Sequence, residues 1–247
     1  MIKNYVGGAW RDASATDSLA VMNPASGEEI GRVPLSTAAD MDAAVQAAKA
    51  AYPAWRDTPA PERARVLFRL KSLLEEHKEE LARLLVTEHG KVLPETRGEI
   101  QRGIENVEHA CGVPTLMMGD TVEQIAAGID SASWRQPLGV FGIITPYNFP
   151  AMIPLWMFPM AIASGNTFIL KPSEKDPSCA LLMAELMTQA GAPKGVLNVV
   201  NGDKEAVDAI LSDPDIGAVS FVGSTAVGEY IYHTGTAHNK RVQALCG

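Results

Sequence analysis

Residues 139–171 read GVFGIITPYNFPAMIPLWMFPMAIASGNTFILK. Two short apolar runs, 139–144 and 166–170, flank a longer apolar segment over 151–163, and this pattern predicts a strand, a helix and a second strand. Strands that are apolar on both faces are typical of parallel sheets that are covered by helices on each side. The segment therefore predicts an α/β fold.

The same alternation continues towards residue 247. We predict further strands at 196–200, 218–222 and 241–245, and further helices at 178–190, 204–211 and 225–232. In a parallel sheet of this kind, ligands bind at the carboxyl ends of the strands. The residues that directly follow the strands are therefore the first candidates for a functional site.

The residues before 120 predict a smaller set of elements beside this sheet. Turn signals around short apolar pieces predict strands within residues 1–35. A capping-box pattern at 37–40 predicts the start of a helix that ends near Tyr52. Leucines at helical spacing predict one amphipathic helix over 61–90, and another helix is predicted over 94–118.

Residues 121–137 predict a two-stranded hairpin, with strands at 121–125 and 131–135 and a glycine-containing turn. Two interpretations stay open with equal weight: an arm that pairs with another subunit, and a plain surface hairpin. The chain then divides into N-terminal strands and helices over 1–120, the hairpin, and a parallel-sheet core over 138–247.

The composition is that of a globular protein. The 247 residues are 47% hydrophobic and 20% charged, and 21 basic against 29 acidic side chains give a formal net charge of −8. This acidic balance disfavours nucleic acids and anionic membranes as partners. Residues 136–170 carry no charge, but their five prolines would leave backbone groups unpaired in lipid, so we interpret them as buried core and not as a membrane span.

The cysteines and the N-terminus favour the cytoplasm. Cys111, Cys179 and Cys246 are odd in number and far apart, so a disulfide framework is not expected. Cys111 is interpreted as core, and Cys179, although close to a predicted helix N-terminus, as a packed thiol. The first residues form neither a signal peptide nor a transit peptide. The five histidines lack metal-ligand spacing, so no metal is proposed.

The loop TPYNFP at 145–150 directly follows the first strand of the quoted segment. Its two prolines fix the loop and leave the side-chain amide of Asn148 as a rigid donor at the sheet edge, which suits a developing oxyanion. The alternative is that Asn148 caps the next helix, and spacing alone favours this alternative.

Two more strand ends carry candidate nucleotide-binding groups. Lys171 and Glu174 place an ammonium and a carboxylate after a buried strand, which suits ribose hydroxyls and disfavours a 2′-phosphate; the alternative is a surface ion pair. The sequence GSTAVG at 223–228 places backbone N–H groups and a hydroxyl at a helix N-terminus, where a pyrophosphate binds; the alternative is an ordinary turn into a helix.

Together, the motifs TPYNFP (145–150), KPSE (171–174) and FVGSTAVG (221–228) resemble those of the aldehyde dehydrogenase superfamily in order and spacing. The resemblance spans the whole chain but only the amino-terminal half of a family member. It implies a Rossmann-like parallel sheet that binds NAD, an oligomerisation hairpin and a homo-oligomer, either a dimer or a tetramer. It also implies that the family's catalytic domain, with its nucleophilic cysteine, lies beyond residue 247.

The resemblance implies a role for each matching residue. The residues that it implies in NAD binding are Thr145, Tyr147, Lys171, Glu174, Lys175 and Ser224. It implies that Asn148 donates a hydrogen bond to the oxyanion of a thiohemiacetal. It further implies that Cys246 lies near the nicotinamide through its backbone and is not the nucleophile.

Other phrases are similar to one branch of the family, the CoA-acylating methylmalonate-semialdehyde dehydrogenases. They are EHACGVP (108–114), LMMG (116–119), SWRQPLG (133–139) and residues 148–161. Hydrolytic members carry a Glu-Leu-Gly-Gly segment whose glutamate activates water, whereas this chain reads ALCG at 244–247. Without that base, the thioester would persist until the thiol of CoA accepts the acyl group, so CoA is the implied co-substrate.

A malonate-type semialdehyde carries a carboxylate, which needs a cation. Arg102 is the candidate, because a guanidinium binds a carboxylate in a bidentate manner; the alternative is an exposed helical arginine. The implied activity is the NAD-dependent oxidation of methylmalonate or malonate semialdehyde to propanoyl-CoA or acetyl-CoA. The rival interpretations are a hydrolytic aldehyde dehydrogenase fragment and a non-catalytic NAD-binding module, and the chain alone is expected to be inactive.

Overall fold

A computed structural model describes residues 1–247, which form eleven strands and nine helices. The strands are β1 (Asn4–Val6), β2 (Ala9–Arg11), β3 (Ser18–Met22), β4 (Glu29–Pro34), β5 (Thr121–Ala126), β6 (Ile129–Ala132), β7 (Val140–Ile144), β8 (Thr167–Lys171), β9 (Leu197–Val199), β10 (Ile216–Gly223) and β11 (Arg241–Cys246). The helices are α1 (Ala38–Asp57), α2 (Ala60–Glu76), α3 (Lys78–His89), α4 (Leu93–Cys111), α5 (Val113–Leu116), α6 (Met152–Ala163), α7 (Ser178–Gln189), α8 (Lys204–Ser212) and α9 (Thr225–Ala237).

Seven strands form the central sheet, in the order β11-β10-β7-β8-β9-β1-β2. Strands β7 to β11 are parallel to one another, which confirms the predicted parallel core. β1 pairs antiparallel with β9 through Tyr5 and Val199, and β2 pairs antiparallel with β1. The sheet is therefore mixed overall, because the N-terminal hairpin covers the β9 edge of its parallel part.

Helices cover both faces of the sheet, as predicted. A cluster of 36 buried residues joins one face to α2, α3, α4, α6 and α7. A second cluster of 16 buried residues joins the other face to α1, α8 and α9. Along β8, Phe168 and Leu170 belong to the first cluster and Ile169 to the second. Because successive side chains point to opposite apolar layers, the sequence of the strand is a continuous apolar run.

The single helix predicted over 61–90 is two helices, α2 and α3, which separate at His77. His77 leaves the helical conformation, with φ −90° and ψ 8°, and its Nδ1 lies 2.7 Å from Glu80 Oε2. Leu74 and Leu81 are buried on either side of the break. The apolar spacing therefore continues through His77, and this is why the sequence pattern does not reveal the break.

The helix predicted over 94–118 is interrupted as well. α4 ends at Cys111, and α5 is a single short turn that follows it. Pro114 has no N–H to donate to the carbonyl of Ala110, so the helix cannot continue regularly through this position.

Helix α1 begins at the predicted capping box. The Thr37 N–H donates to Asp40 Oδ2 at 2.9 Å. The helix extends past the predicted end at Tyr52 to Asp57, and Pro53 is accommodated inside it.

The two strands of the predicted hairpin, β5 and β6, pair antiparallel with each other, and every residue in them is exposed. The second strand is Ile129–Ala132 and not 131–135, because the turn is tight and pairs Ala126 with Ile129. Gly128 occupies this turn with φ 75°, a conformation that favours glycine.

No helix in the fold combines the length and the apolar character that crossing a membrane requires.

Candidate functional site

A cleft of about 780 Å³ lies at the carboxyl ends of β7, β10 and β11. Its walls are three short segments, 146–148, 222–224 and 244–247, and each follows or ends one of these strands. The cleft is thus at the sheet edge where the sequence predicts a ligand.

The strand register brings these segments together. Ile144 pairs with Phe221 on one side and with Lys171 on the other, and Gly223 pairs with Cys246. The strands therefore end at the same level, so the loops that follow them form one continuous edge. Tyr147, Asn148, Ser224 and Cys246 all line the cleft at this edge.

Thr145 directly follows β7 and precedes Pro146, the first of the cleft residues in this loop. It is buried, and its N–H donates to the Lys171 carbonyl at 3.2 Å. Its hydroxyl has no hydrogen-bond partner within the protein. A buried hydroxyl without a partner is costly, so a polar ligand group at this position would stabilise it.

Ser224 is the N-cap of α9, and its side chain makes no capping hydrogen bond. The hydroxyl and the first backbone N–H groups of the helix are therefore available at the cleft. A Cβ atom at Gly223 would collide with the Phe221 ring, and one at Gly228 would collide with the Cys246 thiol. Gly228 therefore allows α9 to pack closely on β10 and β11, which the sequence pattern alone does not indicate.

Lys171 and Glu174 form an ion pair at the end of β8, with 3.3 Å between Nζ and Oε2. The lysine is only 5% exposed, so the alternative of a solvated surface pair is wrong. Burial lowers the pKa of the Lys171 ammonium, and the Glu174 carboxylate opposes this effect. The pair therefore holds one positive and one negative charge in fixed positions at the end of β8, which is the strand next to β7.

Tyr147 separates the cleft from a second cavity of about 380 Å³, which is lined by Glu88, His89, Lys175 and Asp176 among others. The Nζ of Lys175 lies 4.5 Å from the centroid of the Tyr147 ring, and the His89 ring stacks on Tyr147 at 6.0 Å. Lys175 therefore contacts a wall residue of the cleft and does not itself line the cleft.

Asn148 is exposed, and its side-chain amide makes no hydrogen bond within the protein. The alternative in which it caps the next helix is wrong, because the N-cap of α6 is Ala151. The free N–H groups at this helix start donate instead to Glu99 Oε1, from Ala151 at 3.0 Å and from Met152 at 3.2 Å. The Asn148 amide is thus a donor available to the cleft.

The family profile described as "Aldehyde dehydrogenase family" matches residues 10–247. The chain belongs to the aldehyde dehydrogenase family. It is similar to malonate-semialdehyde dehydrogenase 1 of Geobacillus kaustophilus, with 57% identity over 247 residues, covering 100% of this chain and 51% of that protein. It is also similar to malonate-semialdehyde dehydrogenase of Bacillus pumilus, with 54% identity and the same coverage.

Solved structures of the aldehyde dehydrogenase family share this fold. Methylmalonate-semialdehyde dehydrogenase DddC from Oceanimonas doudoroffii superposes with a TM-score of 0.98 at 53% identity, covering 100% of this chain and 50% of that one. A Sinorhizobium meliloti 1021 protein, provisionally described as a methylmalonate-semialdehyde dehydrogenase and solved with NAD, gives 0.97 at 48% identity, with 100% and 51% covered. The chain spans about half the length of the curated relatives that it matches.

Glu99 and Lys91 lie next to the site, and the sequence motifs predict neither of them. Glu99 is 1% exposed, and its Oε2 lies 2.6 Å from Lys91 Nζ. One feature of the sequence could have indicated Glu99. On α4 it lies beside Ile100 and one turn before Gly103, and all three residues are on the buried side of the helix. A charged side chain within an apolar stripe indicates a specific buried partner.

A second missed feature is a buried acid pair behind Tyr147. Burial, followed by the neighbouring Glu88 carboxylate, raises the pKa of Asp176 to about 8. Burial also raises the pKa of Glu88, against the hydrogen bonds that its carboxylate accepts from Ser178. Burial therefore favours the neutral, protonated form of Asp176 in the folded protein.

The three cysteines differ in accessibility. Cys111 and Cys179 are buried, which confirms that they are core residues, and Cys246 is exposed in the cleft. Burial raises the pKa of the Cys179 thiol well above its ordinary value, and the Glu88 and Glu99 carboxylates add to this effect. Cys179 is thus an inert thiol in spite of its place at the start of α7.

Arg102 does not line the cleft. It is exposed on α4, one helical turn after Glu99, and its Nε donates to the Gly98 carbonyl at 3.3 Å. Its guanidinium forms no ion pair within the chain, so it remains available to an anion.

Proposed function

We propose that this chain is the NAD-binding half of a CoA-acylating dehydrogenase of malonate or methylmalonate semialdehyde. The observation that carries the proposal is the unpaired side-chain amide of Asn148 in a cleft that also exposes the free N-terminus of α9. An oxyanion donor and a phosphate-binding helix start in one cleft suit an oxidation that forms a tetrahedral intermediate beside a dinucleotide. The identities of 57% and 53% to relatives named for these semialdehydes support the substrate class.

The chemistry of the residues at the sheet edge fits NAD. The buried Thr145 hydroxyl lacks a partner, and the hydroxyl and N–H groups at Ser224 suit a pyrophosphate. Lys171 and Glu174 would hold ribose hydroxyls, and the Glu174 carboxylate would repel a 2′-phosphate, so NAD is favoured over NADP. Bound NAD supplies the acceptor for the hydride that leaves the substrate.

Three further residues would complete this binding site. Tyr147 forms a wall of the cleft, and Lys175 lies against its ring. The backbone at Cys246 would lie beside the nicotinamide. The structure of the Sinorhizobium meliloti relative with NAD supports the cofactor assignment.

Asn148 would donate its side-chain N–H to the oxygen of the tetrahedral intermediate as negative charge develops there. The nucleophile that attacks the aldehyde would be a cysteine of the family's catalytic half. Cys111 and Cys179 are buried and do not face the cleft. Arg102 would bind the substrate carboxylate, which its unpaired guanidinium suits.

Ala244 lines the cleft at the position where the resemblance places the glutamate of hydrolytic members. A methyl group cannot remove a proton from water, so the acyl-thioester would be transferred to the stronger nucleophile, the thiol of CoA. The proposed products are acyl-CoA and NADH, and the substrate carboxyl group is lost as a carbonate species.

The remaining proposals concern assembly and location. The hairpin β5–β6 is exposed throughout, and we assign it to pairing with another subunit in a homodimer or homotetramer. Three cysteines without a disulfide suit the reducing cytoplasm.

The test is product identity in the complete enzyme. Malonate semialdehyde, NAD and CoA are expected to give NADH and acetyl-CoA, and omission of CoA is expected to stop turnover after a single burst of NADH. Free acid formed at an equal rate without CoA would identify a hydrolytic enzyme. NAD binding to the complete protein without any turnover would identify a non-catalytic module.

A further inference from the structure

Glu99 is a buried carboxylate that connects two helices at the edge of the cleft. It lies on α4, is 1% exposed, and its nearest cation is Lys91, whose side chain is 14% exposed. Neither residue lines the cleft. An ion pair so far removed from solvent is retained only where its remaining hydrogen bonds are satisfied, and the partners of these bonds indicate its role.

The first oxygen of Glu99 holds the start of α6. Oε1 accepts hydrogen bonds from the N–H groups of Ala151 and Met152, at 3.0 and 3.2 Å. These donors have no partner inside the helix, and α6 has no side-chain cap of its own. A negative charge at a helix N-terminus is also favoured by the helix dipole. Glu99 therefore fixes the direction in which the chain enters α6.

The second oxygen holds the residues just before the helix, through Lys91. Lys91 Nζ is 2.6 Å from Glu99 Oε2 and also donates to the main-chain oxygen of Asn148. The same ammonium lies 4.1 Å from the centroid of the Phe149 ring. Both ends of the segment 148–152 are thus anchored to one carboxylate, while the Asn148 side chain carries no hydrogen bond.

We propose that Glu99 is a positioning residue for Asn148. It fixes the main chain of 148–152 through Lys91 and the α6 amides, so that the free amide of Asn148 points into the cleft at the place of the oxyanion. This inference rests on the proposed function. A fixed donor stabilises a transition state more than a mobile one, because no reorganisation is needed when the charge develops.

The experiment compares variants of the complete enzyme in aldehyde oxidation. Glu99→Gln keeps the size of the side chain but removes the charge that holds Lys91. We expect kcat to fall about tenfold or more, while the Kd for NAD changes by less than about threefold. Glu95→Gln is the matched control, because Glu95 is an exposed acid one turn earlier on α4 without a side-chain hydrogen bond, and it is expected to leave both values unchanged.

A double-mutant cycle with Asn148→Ala separates positioning from a purely structural role. If Glu99 acts through Asn148, Glu99→Gln has no further effect on kcat once Asn148 is replaced. Multiplicative losses of kcat in the double variant would overturn the proposal, and so would a wild-type kcat in Glu99→Gln.

Lys91→Met provides a second route if Glu99→Gln does not fold. It leaves the bonds from Glu99 to α6 in place and removes the contact to Asn148, so the same fall in kcat is expected. A wild-type kcat in this variant would overturn the proposal. If the unmodified enzyme oxidises no semialdehyde, the proposed function fails and not the positioning role alone.

Discussion

Lys171 and Glu174 form an ion pair in which one partner is buried and the other is half-exposed. Their side chains are 6% and 30% exposed, and 3.3 Å separates Nζ from Oε2. The carboxylate is therefore fixed in position by a lysine that the sheet itself holds.

This pair predicts the cofactor preference. Glu174→Gln removes the charge that would repel a 2′-phosphate, so we expect the ratio of NADP to NAD affinity to rise by about tenfold or more. Calorimetric titration with both dinucleotides measures the ratio. Glu76→Gln, which changes an exposed acid at the end of α2, is the control. An unchanged ratio in Glu174→Gln would show that the carboxylate does not select the ribose.

Asn148→Ala removes the proposed oxyanion donor. The expected loss in kcat is about 100-fold to 1000-fold, because one oxyanion donor contributes this much in comparable sites. The affinity for NAD should be retained, since the proposed role of the amide concerns the intermediate and not the nucleotide. Steady-state kinetics together with NAD titration checks both values. A kcat within about threefold of wild type would exclude Asn148 from catalysis.

Ala244→Glu tests the proposed reason for acyl transfer to CoA. A carboxylate at this position in the cleft would act as a general base for water, so the variant is expected to release free acid in the absence of CoA. Mass spectrometry of the products, with and without CoA, measures the partition. Ala244→Gln is the control, because it has a similar volume without the basic group. Equal acid release by both variants would contradict the explanation.

Asp176 predicts how stability depends on pH. Its pKa is raised from 3.8 to about 8 in the folded protein, so the folded state holds one proton more than the unfolded chain between these values. Stability is therefore lost as the pH rises through this window. Asp176→Asn removes the proton exchange, and we expect its Tm relative to wild type to rise between pH 5 and pH 8, by about 2–4 °C for each kcal/mol of stability that the wild type loses.

Thermal unfolding at these two pH values measures the effect. The control is Asp17→Asn, which replaces an exposed aspartate and should leave the pH dependence unchanged. The same pH dependence in Asp176→Asn and wild type would show that Asp176 is ionised in the fold.

The cysteines predict the pattern of thiol labelling. Cys246 is exposed in the cleft, whereas Cys111 and Cys179 are buried with raised thiol pKa values. Among the three thiols of residues 1–247, only Cys246 should react rapidly with an alkylating reagent, and bound NAD should slow this reaction. Mass mapping of the labelled peptides identifies the residue, and Cys246→Ser should abolish rapid labelling of the peptide that contains residue 246. Rapid labelling of Cys179 would contradict its burial.

The order of the strands and helices from 138 onward follows from the sequence. Their apolar runs have distinct lengths, and glycine or proline separates them. The position of the cleft follows as well, because parallel strands end at a common edge. The same pattern does not show the break at His77, since the apolar spacing passes through it unchanged.

The missed parts of the site depend on contacts between distant residues. Glu99 and Ala151 are far apart in the chain, and no local pattern links a carboxylate on α4 to the start of α6. The alternative that Asn148 caps this helix is locally reasonable, because asparagine is a common N-cap. It is wrong because a remote side chain already satisfies the same N–H groups. The Glu88 and Asp176 pair was missed for the same reason.

The antiparallel pairing of β1 with β9 joins Tyr5 to Val199, which lie about 200 residues apart in the chain. At synthesis rates of about 5–20 residues per second, the first strand leaves the ribosome about 10–40 seconds before its partner exists. During this interval β1 and β2 have exposed edges and no sheet to join. The edge of β1 that pairs with β9 therefore has to stay free until translation has passed β9, and a chaperone that shields this edge would raise the yield of folded protein.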